Sequence, residues 1–107
     1  MIWYDFKVGE KEYKLRLSIR NTVALEKVLG CNPLAIFGNG DRLPTITEMT
    51  AVLHAALQQY QSNINLAAAQ DIFENWLEDG NTPTDFISVI LEIYKASGII
   101  KGESEKN

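Results

Sequence analysis

Chemistry in this chain would have to start from very few residues. His54 is the only histidine, Cys31 the only cysteine, and the carboxylates Asp71, Glu74, Glu78 and Asp79 recur at spacings of three, four and one. General-base work by His54 needs a nucleophile or an orienting acid beside it. Its helical neighbours at four-residue spacing are Thr50 and Gln58, which put it on the polar side of a helix. Cys31 follows a helix-stopping glycine, whereas a reactive thiolate needs a helix N-terminus or nearby cations; it reads as a small buried hydrophobe. The acidic residues could bring two carboxylates to one divalent cation, but hard cations need more oxygens held convergently, so a solvated helix face is the simpler reading. Asp79-Gly-Asn-Thr-Pro resembles the start of a calcium loop. It departs from one with Pro83 at the fifth position, Thr84 where the turn glycine belongs and Ile90 where a bidentate glutamate should stand. Gly38 and Gly40 lack the following lysine and strand-to-helix setting of a phosphate loop. The expectation is a protein that is not an enzyme, with no catalytic residues, cofactor or metal.

The elements that position these residues change period along the chain. Ile2, Tyr4, Phe6 and Val8 alternate with Trp3, Asp5 and Lys7; after Gly9-Glu10-Lys11, the residues Tyr13, Leu15, Leu17 and Ile19 alternate with polar ones. This period of two predicts a β-hairpin. From Arg20 the spacing becomes helical, with Asn21 or Thr22 as N-cap and Gly30 as stop. Asn32-Pro33 predicts a brief helical piece through Phe37, and residues 38–42 a loop. Thr47 is the expected cap of a helix carrying Met49, Val52, Leu53, Ala56, Leu57 and Tyr60 on one face. A further helix runs from Leu66 to about Asp79, with Leu66, Ala69, Phe73, Trp76 and Leu77 inward. Thr82-Pro83-Thr84-Asp85 joins an N-cap, a first-turn proline and an acidic residue three positions on, and so predicts a last helix ending at Gly98. The expected fold is α+β, an N-terminal β-hairpin followed by a bundle of about four α-helices. Residues 1–98 form its single domain and 99–107 a polar tail.

The last helix is the least ordinary. Its polar residues Asp85, Ser88, Glu92 and Lys95 form a narrow stripe, and nearly everything else on it is apolar. Such a helix is either the pillar of the core or the carrier of a face reserved for a partner, and Val89, Ile90, Ile93 and Tyr94 are the candidate partner-binding residues. Composition restricts the partner. The chain has 107 residues, 46% hydrophobic and 22% charged, with net charge -4. Residues 1–42 hold seven Lys/Arg against five Asp/Glu, while residues 43–95 hold one Lys against seven Asp/Glu. An acidic helical body repels phosphate, so the two helices flanking Gln61–Asn65 do not make a DNA reader, and nucleic acid is not an expected partner. No apolar run approaches a membrane span, the N-terminus carries no secretion signal, and the single cysteine allows no internal disulfide, which together predict a cytoplasmic setting away from membranes. A lone hairpin is marginal in water; it must lie on helices or continue through another subunit, so homo-oligomerisation through the hairpin is a further expectation.

The strings Glu12-Tyr13-Lys14-Leu15-Arg16-Leu17, Leu25-Glu26-Lys27-Val28-Leu29-Gly30 and Asn32-Pro33-Leu34, followed by amphipathic helices and a Gly-stopped final helix, resemble the tail assembly chaperones of long-tailed bacteriophages and prophages. The resemblance spans roughly residues 2 to 98. It implies a non-enzymatic protein of the host bacterial cytoplasm, absent from the mature virion, that binds the hydrophobic helical tape measure protein, with the tail tube protein as a possible second partner. The alternative is a small phage structural protein, a head-tail connector or tail-completion subunit, whose copies form a ring.

Overall fold

A strand that alternates and then meets a glycine can fold back on itself in two residues. In the computed structural model, which describes residues 2–101, β1 (Tyr4–Val8) pairs antiparallel with β2 (Lys11–Leu15), with Tyr4 opposite Leu15 and Val8 opposite Lys11. Gly9 has φ 60° and Glu10 does not share a positive φ, the pattern of a type II′ turn. The expected α+β fold is present, an N-terminal two-stranded hairpin followed by four α-helices. Phe6, Val8, Leu15 and Leu17 point inward and are buried.

The helices start where a side chain captures free backbone donors. Helix α1 (Ile19–Leu29) is capped by Ser18, whose hydroxyl accepts the Asn21 N–H at 3.1 Å, and is closed by Gly30 at φ 74°. The start therefore precedes the expected Asn21 or Thr22, and Ile19, read from sequence as the end of a strand, opens the helix instead. Asn32 caps a 3₁₀ segment, Pro33–Phe37. Helix α2 (Ile46–Leu57) is capped by Thr45 and not by Thr47: Thr45 lies three residues before Glu48, and the two close a reciprocal capping box. Helix α3 (Leu66–Glu78) is capped by Asn65. Thr82 and Asp85 close a second capping box over the 3₁₀ segment Pro83–Asp85, which leads into α4 (Phe86–Ser97) and its left-handed stop at Gly98.

The centre of the molecule is α2, with eight of its twelve residues buried against five of twelve in α4. Around it Phe6, Phe73, Trp76 and Phe86 form an aromatic cluster; Phe86 meets Phe6 edge to face at 5.9 Å and Phe73 at 5.0 Å. One apolar flank of α4 is thus covered by the chain's own hairpin. Beyond Gly98, the N–H groups of Ile99 and Ile100 return to the Tyr94 carbonyl, and both side chains pack on the core, so the domain extends past residue 98. The rest of the expected tail, residues 102–107, lies outside the described residues.

The same packing holds one edge of the sheet at Lys14 and Arg16. The Gln61 side-chain amide accepts the Lys14 N–H at 2.9 Å and donates to the Lys14 carbonyl at 3.0 Å, and the Arg16 N–H donates to the Ala56 carbonyl at 3.0 Å. Gln61 stands where a neighbouring strand would stand.

Candidate functional site

The four residues expected to meet a partner lie inside this chain. Val89 is buried, and Ile90, Ile93 and Tyr94 are wholly inaccessible. Tyr94 donates its hydroxyl to the Pro33 carbonyl at 2.9 Å and meets Phe37 edge to face, tying α4 to the 3₁₀ segment. Burial holds its phenol well above the usual tyrosine range. Val89, Ile90, Ile93 and Tyr94 therefore act as core, and a partner surface has to be sought elsewhere. The physical reason is that the hairpin, α2 and the 3₁₀ segment together cover more of α4 than a single helical neighbour would.

One stretch of open apolar surface lies between the first two helices. Between α1, α2 and the start of α3 runs a groove of about 180 Å³, lined by Asn21, Ala24, Leu25 and Val28 on one side, Ala51, His54, Ala55 and Gln58 on the other, and Leu66 at one end. Its buried lining is Leu25 with Ala51 and Ala55, and the two alanines let a visiting side chain approach the α2 backbone closely. Its rim is apolar and open, with Val28 70% and Leu66 44% exposed. The end of the groove is held in place by Gln58, whose side-chain nitrogen donates to the His54 carbonyl at 2.9 Å and the Ile64 carbonyl at 2.7 Å. Ligand pockets for drug-sized molecules start at about 300 Å³. This groove is smaller, and suits one or two protein side chains.

Sequence periodicity places Val28 in a helix's apolar set and Leu66 inward, and so does not mark either as a rim. The signal that could have found the groove is on α2: Ala51 and Ala55, beside His54 and Gln58, repeat small residues four apart on the flank next to the core face. That flank is neither solvated nor filled.

Polar chemistry does not gather. His54 stands half-buried in the groove wall, and Cys31 is half-buried as a free thiol at the start of the 3₁₀ region. Asp71, Glu74 and Glu78 are exposed on the outer face of α3, and Asp79 accepts the Gly9 N–H at 2.7 Å, anchoring the hairpin turn. Among the described residues no three His, Cys, Asp or Glu side chains converge as a metal set. None of the helices described is long and apolar enough to cross a membrane.

A family match covers nearly the whole fold, residues 4–107, and so takes in hairpin, groove and all four helices. The chain belongs to DUF6096, a family of unknown function. No curated protein and no solved structure matches it. What the groove does has to be argued from its own geometry.

Proposed function

We propose that this DUF6096 protein is a non-enzymatic binding protein that receives apolar side chains of a client helix in the α1–α2 groove, and that it serves as a phage tail assembly chaperone for the tape measure protein. The groove carries the reading. It has buried Leu25, Ala51 and Ala55 beneath an exposed Val28–Leu66 rim, and its size fits side chains better than a small molecule. The resemblance of the hairpin and helix-end strings to tail assembly chaperones supplies the client class. A net charge of -4 keeps such a chaperone soluble while it offers greasy surface. Action in the host bacterial cytoplasm and absence from the finished particle belong to the same proposal.

Co-expression with a tape measure segment tests it. The wild-type chain is expected to keep the segment soluble, and Val28→Asp, a change at an exposed position, to abolish this while far-ultraviolet circular dichroism and melting stay as in wild type. Retention of client solubility by a folded Val28→Asp variant would rule the groove out. Ile93→Asp cannot serve as the test, because it places a charge in the core and unfolds the domain.

A further inference from the structure

The hairpin has one edge held at Lys14 and Arg16 and one open edge. Because Lys14 turns its N–H and carbonyl outward to Gln61, the facing pair Asp5–Lys14 is not hydrogen-bonded, and neither is Lys7–Glu12 two residues on. Asp5 and Lys7 therefore direct their own N–H and carbonyl groups away from β2. Among the described residues no other segment supplies partners to these groups, and both residues are exposed. The edge is interrupted only at its end, where the Gly9 N–H is taken by Asp79.

We propose that β1 pairs antiparallel with β1 of a second copy of this chain, about a two-fold axis at Phe6, to give a four-stranded sheet in the order β2-β1-β1-β2. The register follows from geometry and charge. Only residues with outward backbone groups can exchange hydrogen bonds, so the odd-numbered positions must face one another across the axis. Three such registers overlap usefully. One sets Asp5 against Asp5, another Lys7 against Lys7, and like charges directly opposite destabilise a pair. The third sets Asp5 against Lys7 twice, once on each side of the axis. On the solvent face it completes a row across all four strands: Lys14, Asp5, then Lys7 and Glu12 of the second copy, alternating in sign. On the inner face it brings half-buried Tyr4 against Val8 of the second copy. An edge lysine ordinarily keeps strands apart; here the same lysine selects a single self-complementary register. Because Gln61 occupies the Lys14 backbone on the far edge of each hairpin, only Glu12 of β2 is left with outward groups there, too short a ladder for a third copy, and growth stops at two copies. This pairing is independent of the groove and of any client.

Sedimentation equilibrium on the whole chain decides it. Wild type is expected to approach twice the 12.0 kDa chain mass as concentration rises towards about 1 mM, the range of a weak edge contact. Lys7→Asp and Asp5→Lys each weaken association roughly tenfold or more, since each turns two attractive pairs into repulsive ones. Mixed one to one, these two variants pair with each other, because one chain then carries acidic side chains at both edge positions and the other carries basic ones. Lys7→Gln, which brings no like charge into the hairpin itself, weakens association and removes its salt dependence. A wild-type chain that stays monomeric, or charge variants that dimerise as wild type does, or a mixture that does not recover association, overturns the proposal.

Discussion

One hydroxyl holds the end of the chain to its middle. Tyr94 reaches the Pro33 carbonyl across the core, and no water is needed to satisfy either group. Tyr94→Phe leaves a buried carbonyl without its donor and is expected to cost about 1–2 kcal/mol, read as a lower urea midpoint with unchanged slope. The same residue sets an alkaline limit. Burial raises its folded pKa above the ordinary 10.0, so below that pH the phenol is neutral in both states and the stability is full. Above pH 10.0 the unfolded chain loses its proton first, and stability falls as pH rises towards the folded value. Tyr94→Phe should flatten that fall. At this scale the sequence is legible where a cap is local: Thr82 with Asp85, Asn32 before Pro33, and the glycines at 30 and 98. It is misleading where two hydroxyls compete, as with Ser18 against Thr22 or Thr45 against Thr47, because only backbone geometry decides which one reaches a free N–H.

At the scale of elements, α2 owes its entry to a cluster on its first turn. Glu48 accepts the Thr45 N–H at 2.8 Å and N–H groups from the two terminal guanidinium nitrogens of Arg42 at 3.0 and 3.1 Å, while Arg42 also donates to the Ile36 carbonyl. Partial burial pushes the Glu48 carboxyl up, but the bonds from Arg42 and Thr45 outweigh it and hold the group below its ordinary value. Loop, cap and helix are thereby joined at one carboxylate. Thr45→Ala is expected to cost about 1 kcal/mol, seen as a fall in melting temperature. The loss is expected without any change in self-association, because Thr45 supplies none of the β1 backbone groups or charges that the pairing uses. Alternation and helical spacing define the elements and their order, since both follow from the chain's own periodicity. They cannot tell that α2 is the central helix: an all-round apolar α4 and an alanine-rich α2 look alike in burial until the hairpin is laid across them.

At the scale of the molecule, the groove is the least legible feature, because its floor is made of what is absent. Ala24, Ala51 and Ala55 are apolar residues that a core would welcome; Ala51 and Ala55 are buried beneath the groove and Ala24 is exposed at its side. That a hairpin needs neighbours is legible in any alternating sequence; which of its edges is left open rests on Gln61, a residue 47 positions from its partner. The two surfaces meet through α2, where Ala55 forms groove floor and the next residue, Ala56, holds the Arg16 N–H. The Arg16 amide can exchange with deuterium only when that 3.0 Å bond opens. A client seated between α1 and α2 steadies the helix that supplies the acceptor, so Arg16 exchange is expected to slow several-fold on binding, by mass or nuclear magnetic resonance measurement, while the Asp5 and Lys7 amides keep their free-chain rates below the concentration of self-pairing. Unchanged Arg16 exchange with client bound would show the groove and the sheet to be mechanically separate. The held edge of the hairpin is thus also a built-in reporter, one backbone amide that reads the occupancy of a site it does not touch.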